Sequence, residues 1–219
     1  MNIFEMLKSV QLEGPKGILQ VGASYGQELE MFINNGVKAC VMIEPLPEPF
    51  AHIGGICKQI PNFVAVNALC SDVAGEKHKF HISSNGGMSS SILKPTGHLR
   101  EFDYVKFDQE TEIVSSTVDD VISFLSSNGH ATITNQMDTL YMDVQGAEYK
   151  VLLGACSTLR SIRYISMEFI RGELYEGGET MQTYCAFLEA QGFTLNNLNF
   201  NEHHHADALF IRKSILGLR

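Results

Sequence analysis

The sequence has little that would suit a secreted, membrane-spanning or nucleic-acid-binding protein. Its five cysteines are scattered singly, with no C-x-x-C pair, so no disulfide framework is indicated and a reducing cytoplasm is the expected location. No apolar stretch is long enough to span a membrane, and the N-terminal segment lacks a signal-peptide pattern. Acidic side chains outnumber basic ones by 25 to 16, which argues against a nucleic-acid or anionic-membrane partner.

The composition is that of an ordinary globular protein. Of the 219 residues, 44% are hydrophobic and 19% are charged, and a chain of this length usually folds around one core. We therefore expect a single domain over residues 1–219. Nothing in the sequence indicates a particular oligomeric state.

Short apolar runs alternate with segments of helical periodicity. After a short leading helix, further helices are predicted at 27–34, 48–58, 118–125, 147–155 and 180–191. Strands are predicted at 17–21, 38–43, 62–70, 139–144, 162–169, 193–200 and 208–212. This alternation is typical of parallel βαβ units. It predicts a doubly wound, mostly parallel, Rossmann-like α/β sheet of seven strands, with one antiparallel strand in the last pair.

The alternation breaks between residues 72 and 117. Two short strands are predicted there, at 78–82 and 112–115, on either side of a Gly/Ser-rich stretch at 83–91. An excursion of this length inside a compact domain is usually functional or mobile. We interpret it as an insertion over the binding face of the same domain, able to close over a cleft.

A glycine-rich turn and a downstream acid are the first candidates for a binding site. Residues 19–26 read LQVGASYG, and Gly22 and Gly26 would let the backbone approach a ligand at the start of a helix. A tight strand-to-helix turn explains both glycines equally well. Glu44 ends the next strand, where an acid can accept both hydroxyls of an adenosine ribose or remain solvated. Together and in this order, the signals favour a nucleoside cofactor.

Several nucleoside cofactors lack their usual signature. There is no G-x-x-x-x-G-K-[ST] segment, so a P-loop triphosphate site is not supported. Glu28 stands where a nicotinamide-binding turn has its third glycine, and no tyrosine is followed four positions later by lysine. S-adenosylmethionine (SAM) has no phosphate and carries a sulfonium cation, which suits a glycine turn beside Glu44. A nicotinamide-dependent oxidoreductase remains the alternative enzyme, and a non-catalytic SAM-binding module the alternative from another class.

Five segments of the sequence resemble FkbM-type methyltransferases. They are residues 20–28, 43–45, 67–72, 115–120 and 143–148, of which the last, DVQGAE, is the most specific. The resemblance implies a SAM-dependent enzyme that methylates a hydroxyl oxygen, often of a sugar or secondary metabolite. Gln20 departs from the acid that many methyltransferases have there, and Gln145 from the Glu that this family often has. These two departures keep the non-catalytic alternative open.

The resemblance also implies a set of site residues. The glycine turn would pass under the methionine end of the cofactor, Glu44 would hold the ribose, and residues 45–46 and 70–71 would lie by the adenine. Cys70 is equally consistent with a small buried filler. The implied cofactor-binding residues are Gln20, Gly22, Ala23, Ser24, Tyr25, Gly26, Glu44, Pro45, Leu46, Cys70, Ser71 and Asp143.

Two acids lie near the ends of otherwise apolar strands. Asp143 and Glu168 are the catalytic candidates, either as a general base or as ligands that share a divalent metal, although no metal-binding motif supports that use. In the alternative interpretation Asp143 caps the next helix, and Glu168 pairs with Arg163 or Arg171. Glu148, at a helix start, is expected to satisfy backbone amides instead.

The acceptor-binding candidates lie in the excursion and the C-terminal region. Ser89, Ser90 and Ser91 offer hydroxyls to a polar acceptor, and His98 is a possible base; the alternative is a flexible exposed loop. His203 and His205 could share a metal ligand, but no characteristic spacing completes the site, and we favour a polar loop.

Overall fold

A seven-stranded sheet forms the centre of the protein. The computed structural model describes residues 2–170, 174–200 and 205–218. The strands, numbered in chain order, are β1 (Gly17–Val21), β2 (Ala39–Ile43), β3 (Phe63–Val66), β4 (Leu69–Cys70), β5 (Lys77–Ile82), β6 (Gln109–Ser116), β7 (Thr139–Met142), β8 (Tyr164–Ile170), β9 (Phe193–Phe200) and β10 (His205–Arg212). The main sheet has the order β3-β2-β1-β7-β8-β10-β9. Only β10 runs against its neighbours within this sheet, which confirms the predicted architecture.

Helices cover both faces of the sheet. They are α1 (Ile3–Ser9), α2 (Leu29–Asn34), α3 (Pro47–Cys57), α4 (His98–Glu101), α5 (Val118–Leu125), α6 (Ala131–Thr134), α7 (Glu148–Leu153) and α8 (Met181–Ala190). Helices α1, α5 and α8 are capped by the side chains of Asn2, Thr117 and Thr180, each of which accepts a hydrogen bond from a backbone N–H in the first turn. A π-helical turn at Ser126–His130 joins α5 to α6.

The core lies on both sides of the central strands. Every residue of β1 and β2 is buried, as expected for parallel strands covered by helices. On one face, α5, α7 and α8 pack on side chains such as Leu19, Leu140 and Ile165. On the other face, α2 and α3 pack on Ile18 and Met42, while α1 covers β8 and β10. The carboxyl ends of β1, β2 and β7 therefore meet at one sheet edge.

The prediction of a single strand at 62–70 was wrong, because this range contains two strands, β3 and β4. The pairing of β3 with β2 ends at Val66. The Asn67 side-chain amide then donates to the carbonyl oxygens of Glu44 and Pro45, at 2.9 Å each. These bonds hold the chain beside the end of β2, and β4 then joins a second sheet. The sequence also gave no signal for α6, which extends the helical region beyond α5.

Residues 72–117 form most of this second sheet, whose order is β4-β6-β5. Strands β5 and β6 pair antiparallel, and β4 pairs parallel with β6. Phe80 of β5 packs with Leu46 and Leu69 in a small apolar cluster. Because Leu46 follows β2, this cluster fixes the second sheet at the carboxyl-end edge of the main sheet. Within the described ranges, the helices are all too short or too polar to cross a membrane.

One glycine contact joins the end of α7 to the chain after β4 and gives a stability prediction. A Cβ built on Gly154 would collide with the carbonyl oxygen of Ser71, which follows β4. Gly154→Ala must therefore move backbone, and we expect it to lower the free energy of unfolding by about 1–3 kcal/mol. Gly55→Ala is the matched control. Gly55 lies in α3, and a Cβ built there would have no described atom of another element within 4 Å, so alanine should raise the free energy of unfolding by about 0.5–1 kcal/mol. Urea unfolding followed by circular dichroism measures both; equal stability for the two variants would contradict the proposed tight contact.

Candidate active site

A cavity opens at the edge where β1, β2 and β7 end. Its polar part is formed by Ser24, Glu44, Asp143 and Gln145. The remaining lining is mainly apolar and comes from both sheets: Val21, Gly22, Pro45, Leu46, Ala68, Leu69, Cys70, Phe80, Gly87, Met88, Ser90, Ile92, Val144 and Ala147. We call this the first cavity. Its mixture of polar and apolar walls suits a ligand with one polar and one flat apolar end.

The glycine turn after β1 forms the floor of the first cavity. Gly22 has a φ of +80°, and a Cβ there would collide with the carbonyl oxygen of Asp143. The amides of Gly22 and Ala23 both donate to the Ile43 carbonyl oxygen, at 3.0 Å. Ser24 follows with a φ of +45°, a left-handed conformation that non-glycine residues rarely adopt. The turn therefore brings the backbone close to the end of β7, which is possible because Gly22 has no side chain.

Glu44 is held by backbone amides on both carboxylate oxygens. The amide of Ser24 donates to Oε2 and that of Leu46 to Oε1, each at 2.8 Å. Burial raises the pKa of Glu44, while these two hydrogen bonds act in the opposite direction. The bonds fix the carboxylate in the cavity wall, and each oxygen keeps a second lone pair with which to accept a hydroxyl.

The other residues of the turn do not all face the first cavity. Gln20 is fully buried in β1; its Nε2 donates to Glu28 Oε2 at 2.8 Å, and its Oε1 has no partner among the described residues. Ala23 belongs to the core beneath α2. Tyr25 packs edge-on against His52 and borders a neighbouring cavity, and Gly26 packs against α3.

The far end of the first cavity is apolar. Leu46, Leu69 and Phe80 form one wall and Cys70 another. Burial raises the pKa of the Cys70 thiol to about 12, so the thiol is neutral at physiological pH and acts as apolar lining. Ser71 is fully buried and its hydroxyl donates to Asp72 Oδ1 at 2.8 Å, which engages it away from the cavity.

A second cavity adjoins the first and shares three of its walls. Met88, Asp143 and Gln145 border both spaces. The remaining lining of the second cavity comprises Asn85, Ser89, His98, Phe102, Tyr104, Val105, Glu168 and His205. Burial, followed by the charge of Glu168, raises the pKa of Asp143 well above the usual range for aspartate. Asp143 therefore stands at the junction of two cavities with different chemistry.

Gln145 bridges the two acids of the second cavity. Its Nε2 donates to Asp143 Oδ1 at 2.6 Å and lies 3.3 Å from Glu168 Oε2. The Tyr175 hydroxyl lies 3.1 Å from Gln145 Oε1 and 2.8 Å from the Ser89 carbonyl oxygen. A glutamate at this position would place a third carboxylate beside two others, whereas the amide donates to both. The departure from the family pattern thus has a structural role.

Glu168 pairs with a histidine rather than with an arginine. His205 Nδ1 lies 2.9 Å from Glu168 Oε1, and that hydrogen bond, opposed by burial, raises the pKa of His205. Arg163 pairs instead with Asp138 at 3.6 Å, so the predicted pair of Glu168 with Arg163 was wrong. Positions 171 and 203, where the sequence suggested an arginine partner and a metal-binding histidine, lie outside the described residues.

The serine-rich segment is ordered by its own hydrogen bonds. Ser83 accepts from the Ser89 amide at 3.0 Å and its own amide donates to Ser90 Oγ at 3.0 Å. Ser89 borders the second cavity and Ser90 the first. Ser91 is 1% exposed, and its hydroxyl donates to the Gln145 carbonyl oxygen at 2.9 Å. The three serines therefore have three different positions, and these hydrogen bonds contradict the alternative of a freely exposed loop.

His98 is buried at the edge of the second cavity. It is 2% exposed, and its ring packs against Phe102, Phe107 and Tyr175, with ring centres 4.9–5.6 Å away. Its Nδ1 has no partner within the described ranges. Burial, and then the charge of His205, lower the pKa of His98. The imidazole is therefore neutral at physiological pH.

The remaining acid has the structural role expected from the sequence. Glu148 Oε1 accepts from the amides of Val144 and Gly146, at 3.1 and 3.3 Å. For α7 itself, no side-chain cap exists among the described residues, so the helix-cap interpretation of Asp143 was wrong. The described part of the chain also contains no group of three His, Cys, Asp or Glu side chains arranged to hold a metal ion.

Sequence reasoning missed several residues of the two cavities. Tyr175 and Met88 carry no motif, and their positions depend on how the excursion folds back over β7. Phe80 was assigned to a short strand without a role. Phe102 and Tyr104 form an aromatic patch near His98 that local sequence could have suggested, since three aromatic residues fall within residues 102–107.

Two sequence comparisons bear on what this site does. A family model described as the methyltransferase FkbM domain matches residues 20–195. The 2-O-methyltransferase NoeI of Sinorhizobium fredii is 32% identical over 167 residues, which cover 73% of this chain and 65% of NoeI. The chain thus spans just under two thirds of the length of that relative.

Solved structures share the fold. The M. capricolum TrmK structure, in complex with S-adenosyl-homocysteine, matches with a TM-score of 0.50 and 8% identity, covering 97% of this chain and 69% of that one. The Methanococcus jannaschii fibrillarin pre-rRNA processing protein matches with a TM-score of 0.50 and 15% identity, covering 90% and 66% respectively. At these identities the likeness concerns the fold alone. By its family-model match, the chain belongs to the FkbM methyltransferase family.

Proposed function

We propose that the protein is a SAM-dependent methyltransferase that transfers a methyl group to a hydroxyl oxygen of a sugar. The observation that carries the proposal is the meeting of two cavities at Asp143 and Gln145. One cavity suits a nucleoside cofactor and the other a polar acceptor. A transferred group has to cross the junction between them, and holding both partners there in line is the largest contribution that a protein can make.

The first cavity fits SAM on three observations. The turn at Gly22 packs its backbone against the Asp143 carbonyl oxygen, where a Cβ would collide, and so lines the cavity with main chain; Glu44 presents a fixed carboxylate, and the far end is apolar. Glu44 would hold the ribose hydroxyls, and Leu46 and Cys70 would contact the adenine. When bound, SAM supplies an electrophilic methyl group on a sulfonium.

The second cavity has the side chains that sugar-binding sites use. Carboxylates accept hydrogen bonds from hydroxyl groups, and amides both donate and accept them. The half-buried ring of Phe102 and the exposed ring of Tyr104 offer apolar faces. NoeI is named as a 2-O-methyltransferase, which supports an oxygen acceptor at the second position of a ring. We also propose that residues 72–117 are an insertion within one domain, and that their 87–92 segment closes the site.

Methyl transfer to glycosides tests the proposed acceptor. Purified protein is incubated with SAM and a panel of methyl hexopyranosides, each paired with its 2-deoxy counterpart. We expect adenosylhomocysteine to form with at least one parent glycoside and not with its 2-deoxy partner, because the missing oxygen is the proposed acceptor. Equal turnover of both members of a pair would contradict methylation at that position, and no turnover with any glycoside would contradict a simple sugar acceptor.

A pair of glycine variants tests the proposed cofactor cavity. Gly87 has a φ of +84° and a Cβ there would lie 2.8 Å from Leu46 Cδ1, whereas Gly75 has a φ of +81° and no described atom within 4 Å. Both alanine variants carry the same left-handed strain of about 1–2 kcal/mol. Only Gly87→Ala should weaken adenosylhomocysteine binding, by about fivefold to tenfold, equivalent to about 1 to 1.4 kcal/mol. Calorimetry measures both affinities; an equal effect would place the ligand elsewhere.

The raised pKa of Asp143 predicts a pH-dependent preference for the charged cofactor. SAM differs from adenosylhomocysteine by one methyl group and one positive charge, which only the ionised form of Asp143 attracts. Since burial and Glu168 raise this pKa, ionisation occurs above the usual aspartate range. The affinity for SAM relative to adenosylhomocysteine should therefore increase as the pH rises above the usual aspartate range, by up to about tenfold for each unit by which the pKa of Asp143 is lower in the SAM complex than in the adenosylhomocysteine complex.

Asp143→Asn is the control for that measurement. The amide has the same shape without the charge, so the affinity ratio should become independent of pH, and methyl transfer should be abolished. Near-normal rates in this variant would remove Asp143 from the site, and an unchanged pH dependence would assign the effect to another acid.

A further inference from the structure

We propose that Tyr104 binds the acceptor by packing its aromatic ring against the apolar face of a closed sugar ring. This inference rests on the proposed methyltransferase function and deepens it, because it names a substrate-binding residue and favours a cyclic sugar over an open-chain polyol. It is carried by one observation: Tyr104 lines the second cavity, and most of its surface is exposed to solvent.

Tyr104 is the most exposed large apolar residue in the part of the chain that the structure describes, with 74% of its surface accessible. Of the exposed apolar residues described, Tyr104 and Met88 are the two that line the second cavity. Phe124 of α5, for comparison, is 64% exposed and lines neither cavity. An aromatic ring packed on both faces could not keep this exposure. At least one face of the Tyr104 ring is therefore open, and its contact with water is unfavourable until a ligand covers it.

The backbone on either side of Tyr104 is held by hydrogen bonds. Val105 is buried, and its amide donates to the Phe102 carbonyl oxygen at 3.0 Å. The Lys106 amide donates to Ser84 Oγ at 2.9 Å, and the Lys106 carbonyl oxygen accepts from the Ser84 amide at 2.8 Å. The rings of Phe102 and Tyr104 lie edge to face, with their centres 6.3 Å apart. The position of the Tyr104 ring is therefore largely set before a ligand arrives, which lowers the entropic cost of binding.

The second cavity supplies both kinds of contact that a cyclic sugar makes. A pyranose has hydroxyl groups around its edge and C–H groups on its two faces. Asn85, Ser89 and Glu168 carry oxygen and nitrogen atoms that can hydrogen-bond to hydroxyl groups, and Tyr104 offers an apolar surface to the C–H groups. An open-chain polyol has the same hydroxyl groups but no rigid face of C–H groups. It therefore makes the first kind of contact and loses the second.

The size of the effect follows from the area of the contact. Packing of one sugar face on an aromatic ring removes about 40 to 60 Å² of apolar surface from water, which corresponds to a fivefold to tenfold change in affinity. Because Tyr104 contacts a part of the sugar that does not react, its loss should raise KM and leave kcat nearly unchanged. Since its side chain is exposed, a substitution at this position should have little effect on the free energy of unfolding.

Two variants and a matched control test the inference by kinetics. Tyr104→Ala removes the ring, and Tyr104→Phe keeps the ring but removes the hydroxyl group. Phe124→Ala is the control, since it removes an aromatic ring of similar exposure that lines neither cavity. With the best glycoside of the panel and saturating SAM, Tyr104→Ala should raise KM by about fivefold to tenfold with a nearly unchanged kcat, and the other two variants should match the wild type. Calorimetry should give the same adenosylhomocysteine affinity for all four proteins.

Fluorescence measures the same contact without any turnover. The sequence contains no tryptophan, so Tyr104→Trp places a single indole at the proposed binding position, and Phe124→Trp places one at the control position. Each methyl hexopyranoside of the panel, and its open-chain hexitol, is titrated into both variants with adenosylhomocysteine bound. For at least one glycoside, the emission of Tyr104→Trp should shift to shorter wavelength and saturate, because the sugar removes the indole from water. The hexitol should cause no such shift, and Phe124→Trp should not respond to either compound.

Several results would overturn the inference. An unchanged KM in Tyr104→Ala would exclude the contact, and an equal rise of KM in Tyr104→Phe would assign it to the hydroxyl group. Equal shifts with a glycoside and its hexitol, or no shift with any glycoside, would exclude packing against a sugar face. An emission of Tyr104→Trp that depends on protein concentration without sugar would show that a second copy of the chain covers the ring. Failure of the proposed function has a different signature, namely a saturable shift with glycosides that the wild-type protein does not methylate.

Discussion

Two carboxylates lie beside each other in a largely buried space, and the structure around the site depends on how they are kept apart. Asp143 follows β7 and Glu168 lies near the end of the adjacent parallel strand β8, so the fold itself brings like charges together. A buried pair of this kind is unfavourable unless it is protonated, hydrogen-bonded or neutralised. The Gln145 amide donates towards both acids, and the His205 imidazole faces the second of them.

This arrangement organises the neighbouring elements as well. Gln145 has a left-handed φ of +55°, and its side-chain and main-chain oxygens receive hydrogen bonds from Tyr175 and Ser91. Tyr175 in turn reaches the Ser89 carbonyl oxygen. Gln145 alone therefore connects the excursion, the strand ends and the segment before α8. The amide at this position, which from the sequence could suggest lost chemistry, is the central hydrogen-bonding group of the site.

Most of the fold could be predicted from the sequence, because its signals are local. Continuous apolar runs and helical periods predicted all seven strands of the main sheet and the order of the helices. The error at 62–70 arose because the Asn67 side chain redirects the chain through bonds to residues more than 20 positions away, which periodicity does not report. The glycine turn, Glu44 and Asp143 could also be predicted, because glycines at a turn and acids directly after an apolar strand can be recognised in the sequence.

The second cavity could be predicted only in part. Glu168 and His98 were recognised as single residues, but their partners depend on long-range packing: Glu168 meets His205 across 37 positions, and Tyr175 meets Ser89 across 86. A histidine in a polar run gave no indication of a carboxylate partner. Hydrogen-bond networks of this kind are properties of the folded chain, and a single sequence contains no separate signal for them.

The short stretch from Gly87 to Ile92 has one more consequence. Because Met88 is a wall common to both cavities, a ligand that moves its side chain in one cavity also changes the shape of the other. The two ligands are then thermodynamically linked, and each must change the affinity of the other by the same factor. If the bound nucleoside holds Met88 in the position that opens the second cavity, the acceptor binds more tightly after the nucleoside than before it.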